Sequence, residues 1–260
     1  MAVYFLDFWF SQLKTRRRRK QTQPALGLSR VYGGNMPNKK KIIVTGFEPF
    51  GEHTVNSSWI AVQELDRLGL GEAVDLYVCE VPVEYQAVQK LLPTLFKEHQ
   101  PQLVVHVGVS GLATTVTLEQ CGHNNGYKRL DNCSFCPASQ SCMENGPDCI
   151  KSALDMDTVC KRVNDSNIGI TVSVSKDAGR QVMVYLCDYT YYTSLYLGQG
   201  RAAFVHVPPL GKPYSSQDLG RGLQVVIQEM LKLVEGKYTE EESKDNKHCN
   251  HTYQHQQYQK

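Results

Sequence analysis

From residue 41 onward, short apolar runs alternate with stretches whose apolar residues recur every three or four positions. KIIVTG (41–46) is a β-branched run closed by glycine and reads as a strand. SWIAVQELDRLG (58–69) carries its apolar residues at helical spacing and stops at Gly69. AVDLYVCE (73–80) alternates as a strand does. YQAVQKLLPTLFKEH (85–99) reads as a helix that Pro93 should bend or split. QLVVHVGV (102–109) is a buried strand, and TTVTLEQC (114–121) is β-rich. After an irregular stretch come a helix at 156–163 (MDTVCKRV), a strand at 170–175 (ITVSVS), a helix at 188–197, a strand at 202–208 (AAFVHVP) and a long helix from about 216 to 235.

Strand–helix alternation of this kind predicts an α/β domain whose largely parallel sheet is covered on both faces. In such sheets ligands sit beyond the carboxyl ends of strands. The rule points to residues 47–56, to 109–113, and to the turns around Cys187 and His206. GFEPFGE spaces two glycines as a phosphate loop does but lacks the Lys-Ser/Thr pair that grips phosphate. GVSG is not the G-x-S-x-G elbow of serine hydrolases. Nucleotide binding and serine-esterase chemistry are set aside on those grounds.

Composition narrows the picture. The 260 residues are 41% hydrophobic, enough for one large core. Residues 1–41 hold ten Lys/Arg and one acid, which leaves 18 basic against 25 acidic residues in the rest, a net of −7. A mildly acidic body argues against reading phosphates, so no nucleic-acid partner is expected. RRRRK at 16–20 has two further readings, an import signal or a nucleic-acid contact; residues 1–39 are expected to be a disordered basic extension. Its apolar run precedes its basic run, the reverse of a secretory signal, and is too short to span a bilayer. Met36 looks like a natural first residue for the folded part. Nine cysteines, an odd number, without an export signal predict a reduced, cytosolic compartment and no membrane association. Residues 237–260 lack any apolar period and are expected to form a disordered polar tail.

The chemistry centres on YLCDYTYYTSLY (185–196). Cys187 sits where an apolar, strand-like segment gives way to a helix, and the unsatisfied N–H groups of a helix start favour a thiolate and can hold an oxyanion. His206 closes the next strand, so parallel packing brings both groups to one sheet edge. The alternative is two core residues, a buried thiol and a satisfied histidine.

Six stretches together, VTGFEPFG (44–51), TVNSSW (54–59), VVHVGVSG (104–111), TLEQCGHN (117–124), YLCDYTYY (185–192) and FVHVPPLG (204–211), resemble the vertebrate form of the pyroglutamyl peptidase I (pyrrolidone carboxyl peptidase) family over residues 40–236. The resemblance implies a three-layer α/β/α open sandwich with a largely parallel or mixed sheet, and a cytosolic, monomeric cysteine peptidase. Such an enzyme removes N-terminal pyroglutamate from peptides and uses no cofactor and no metal. It assigns Cys187 as nucleophile, His206 as general base and acid, and Glu119 as the carboxylate that orients the imidazolium. It places Phe47 and Phe50 against the flat lactam ring, and Asn56 is a candidate partner for the lactam's polar atoms. CSFCPASQSCMENGPDC (133–149) opens with Cys-x₂-Cys, but its next cysteines are too widely spaced for a second knuckle, so loop cysteines without metal are expected. One departure stands out: DAGRQVMVYLCD carries residues 181–184 (QVMV) beyond the family's DAGRYLCD. That keeps a second reading open, an impaired homologue that only binds pyroglutamyl ends.

Overall fold

Strands begin where the β-branched runs begin, and the helices follow the 3.6-residue pattern. In the computed structural model the described residues are 39–51, 54–176 and 185–253, with side chains described as far as Glu235. The basic run at 16–20 and the extra residues 181–184 lie outside them. In chain order the elements are β1 (Lys40–Phe47), α1 (Ser57–Leu68), β2 (Val74–Val81), α2 (Tyr85–His99), β3 (Leu103–Val109), β4 (Val116–Glu119), β5 (Cys121–His123), β6 (Cys149–Lys151), α3 (Met156–Asp165), β7 (Val172–Ser175), α4 (Leu186–Leu197), β8 (Ala202–Val207) and α5 (Ser216–Tyr253).

Six strands form one sheet in the order β2-β1-β3-β8-β4-β7. β2, β1, β3 and β8 run parallel; β4 pairs antiparallel with β8 and parallel with β7. The sheet is therefore mixed, with its last two strands reversed. β5 and β6 make a separate antiparallel ribbon.

Side chains alternate across a strand, and here the alternation separates two kinds of chemistry. Ile42, Val44, Leu103, Val105, Val107, Val116, Leu118, Ala203, Val205 and Val207 share one face and pack with apolar residues of α1, α3 and α5 into a single aliphatic core. Each fully buried Val, Leu or Ile there contributes about 1.5–3 kcal/mol of transfer free energy. The opposite face carries Thr45, Phe47, His106, Gly108, Glu119, Phe204 and His206, in register across β1, β3, β8 and β4. α4 lies over it, and α2 packs against α4. Helix α4 is buried on nearly every side from Leu186 to Leu195, as a helix inserted between a sheet and other elements must be.

One expectation changes. α2 runs unbroken through Pro93, because its buried face (Tyr85, Val88, Leu91, Leu92, Leu95) anchors the helix on both sides of the missing N–H. α5 is a 38-residue helix that ends at Tyr253. β6 had no sequence signal: it is three residues long and mostly exposed.

Candidate active site

Three elements converge on the carboxyl edge of β8. His206 is the penultimate residue of that strand, and the antiparallel partner β4 ends in Glu119, which lies directly opposite Phe204. Phe204 and His206 share a face, so Glu119 reaches His206 as a diagonal cross-strand neighbour. The His206 Nδ1–H donates to Glu119 Oε1 over 2.7 Å, with both side chains largely buried. That leaves Nε2 for the thiol of Cys187, to which His206 is also hydrogen-bonded.

Cys187 lies in the first turn of α4. The cap residue Tyr185 is extended and offers no side-chain cap, so the N–H groups of that turn keep no intrahelical partner. Asp188 follows, buried, and accepts from the His123 backbone N–H (3.1 Å) and from the Tyr127 hydroxyl (3.4 Å). These bonds clamp the first turn of α4 to β5. A negative group there also suits the helix dipole.

The electrostatics favour a protonated His206. Burial alone pulls the His206 pKa down, but hydrogen bonds to Cys187 and Glu119 and the negative charges of both outweigh it and raise it to about 10. His106, on the neighbouring strand β3 and the same face, shows the contrary case. Burial lowers its pKa to about 3, so it is neutral, and it bridges Thr45 Oγ1 and Ser194 Oγ at 2.7 Å each. It ties β1, β3 and α4 together beneath the site.

Gly108, paired with His206 across β3 and β8, was not flagged by the sequence. A Cβ there would lie 2.8 Å from Phe204 Cζ and 3.2 Å from Cys187 Sγ. Phe204 cannot yield, because it is fully buried among Phe47, His106, Tyr191 and His206. Gly108→Ala is therefore expected to move the thiol. A misplacement of about 1 Å costs on the order of 10²-fold in rate, and overpacking costs about 1–3 kcal/mol of stability. Steady-state turnover beside a thermal melt checks it; unchanged turnover would mean the thiol does not rest on Gly108.

The specificity residues fall differently. Phe47 is buried at the end of β1, its ring 6.2 Å from Phe204, and Phe50 is half-buried in the following loop. Asn56 has a structural role beside the expected lactam contact. Its Oδ1 accepts from Ser58 N (3.0 Å) and Ser58 Oγ (2.8 Å), capping α1, and its Nδ2 donates to the Glu48 carbonyl (3.0 Å). It shapes the loop that carries the phenylalanines. Asn immediately before the helical SSW is the signal that reveals this cap.

The profile of the pyroglutamyl peptidase family matches residues 40–230. Pyroglutamyl-peptidase 1 of mouse and that of human are each 66% identical over 197 residues, 76% of this chain and 92% of the relative. The solved pyrrolidone carboxyl peptidase of Thermus thermophilus superposes with a TM-score of 0.62 at 28% identity, covering 72% of this chain and 98% of that one.

Proposed function

This chain belongs to the pyroglutamyl peptidase family, and on that premise we propose that it hydrolyses the bond after an N-terminal pyroglutamate through Cys187, His206 and Glu119. The observation that carries this is the bonding of one imidazole to both a carboxylate and the thiol of a helix start. The Cys187 thiolate attacks the pyroglutamyl carbonyl carbon. A C–S bond forms, and the carbonyl electron pair moves to oxygen, facing the free N–H groups of α4. The imidazolium Nε2–H gives its proton to the departing amine as the C–N bond breaks, leaving a thioester. Nε2 then takes a proton from water; the hydroxide forms the C–O bond, the C–S bond breaks, and pyroglutamate leaves. Glu119 holds the imidazole in the tautomer that points Nε2 at sulfur and stabilises its charge.

Phe47 and Phe50 flank the lactam ring, and Asn56 holds their loop. No described helix is long and apolar enough to cross a membrane. The proposed enzyme is cytosolic and monomeric, with residues 40–236 as its catalytic domain and pyroglutamyl peptides as its substrates.

The test is hydrolysis of a fluorogenic pyroglutamyl amide by the full chain across pH. His206 has its folded pKa raised from 6.5 to about 10. The pair's stabilisation is therefore whole below pH 6.5 and is lost as pH rises through about 10. The alkaline limb of kcat/KM is expected near 10, and Glu119→Gln, which removes one raising charge, is expected to move it downward. No hydrolysis by the folded chain would reject the proposal, and a limb indifferent to Glu119→Gln would remove Glu119 from its role.

A further inference from the structure

The β5–β6 ribbon lines up three metal-ligating side chains that the reaction does not use. Its register sets His123 opposite Cys149, and Cys121, two residues before His123, projects from the same face. One ligand atom from each of Cys121, His123 and Cys149 lies within 4.8 Å of the other two, the only such group of three or more among the described residues. Cys121 Sγ and His123 Nε2 are 3.9 Å apart.

We propose that Cys121, His123 and Cys149 bind a soft divalent cation, Zn²⁺ above all. Two thiolates and one imidazole are a zinc donor set. Zinc bonds of about 2.3 Å to sulfur and 2.0–2.1 Å to nitrogen put tetrahedral ligand atoms about 3.5 Å apart. The present spacing closes to that through a side-chain movement of about 1 Å. Cys149 is exposed and can make that movement, and it also gives the ion its path in. The fourth position remains for water.

The surroundings of the histidine fit the same reading. His123 Nδ1 is buried with no hydrogen-bond partner, and Asp188 Oδ2 faces it at 3.5 Å. A carboxylate behind the far ring nitrogen of a histidine fixes the ring and raises its basicity toward a metal. Asp188 is next to Cys187, so the cation is one side chain removed from the nucleophile. Binding exchanges two thiol protons for one cation, so affinity rises with pH. The cysteine spacing of residues 133–149 conceals this site, because two of its three ligands lie outside that stretch.

The experiment uses the full-length chain with Cys187→Ser, so that the reactive thiol contributes no sulfur ligand, kept reduced throughout. Zn²⁺ is titrated against a chromophoric chelator, and Co²⁺ reports thiolate ligation through its sulfur-to-metal charge-transfer band. One ion per chain is expected, with a two-thiolate cobalt band. Adding Cys149→Ser, a surface change that spares the fold, should weaken binding by at least tenfold, a change of the size seen when a metal's supporting residues are lost. His123→Ala should do the same, and Cys133→Ser should change nothing. Absence of a thiolate–cobalt band, or binding indifferent to Cys149→Ser, overturns the inference. The readout is independent of hydrolysis, so it stands apart from the peptidase reading.

Discussion

Replacing Cys187 by serine is expected to lower turnover of a pyroglutamyl amide by at least about 10⁴-fold while leaving the melting temperature close to that of the parent. Loss of a nucleophile that acts as a unit with its base removes nearly the whole covalent route, and binding with oxyanion stabilisation accounts for the residue. The serine hydroxyl does not form the charged pair with His206 that a thiolate does, so the imidazole loses one of the charges that raise it. Cys133→Ser and Cys136→Ser, in the loop between β5 and β6, should keep full activity. Iodoacetamide should alkylate Cys187 ahead of every other cysteine, read by peptide mass mapping, since the thiolate is the reacting form. An active Cys187→Ser enzyme with even labelling would put the nucleophile elsewhere.

Much of this site was legible because its residues stand at element ends. AAFVHVP is so apolar and β-branched that a strand there is forced, and that alone puts His206 at a carboxyl edge. The helix starting beside Cys187 was as plain, although it begins at Leu186, two residues earlier than its periodicity suggests. Glu119 was different. A glutamate at a strand end is an ordinary surface group by itself, and only the reversal of β4 brings it to His206. Strand direction depends on partners far along the chain, so no local pattern reports it. Gly108 and Phe204 escaped for a related reason: a glycine in a strand shows no sign of what lies above it. The cap at Asn56 was missed although its place before SSW announces one.

A prolyl amide is expected to be cleaved at least about 10³-fold more slowly than its pyroglutamyl counterpart. The two rings match in size but differ at the ring nitrogen and the neighbouring carbon. Proline presents a protonated amine at neutral pH, whereas pyroglutamate presents a neutral amide N–H and a carbonyl. The face proposed to receive the ring carries Phe47, with Phe204 behind it, both almost wholly buried. An ammonium placed there without a counter-ion bears the full cost of desolvation. The groups meant for the lactam carbonyl lose their partner as well, and sites built around such polar partners reject analogues lacking them by large factors. Comparison of kcat/KM for matched fluorogenic amides checks this. Rates within tenfold of each other would mean that the phenylalanine loop does not read the ring.

β3 and β4 follow one another in sequence, yet β8 lies between them in the sheet. During synthesis the chain therefore makes the strands on either side of a gap long before it makes the strand that fills it. Cys187 leaves the ribosome before His206, and Glu119 has no imidazole to hold until β8 has threaded home. On the proposed reading, the thiol therefore gains its base only in the event that completes the sheet.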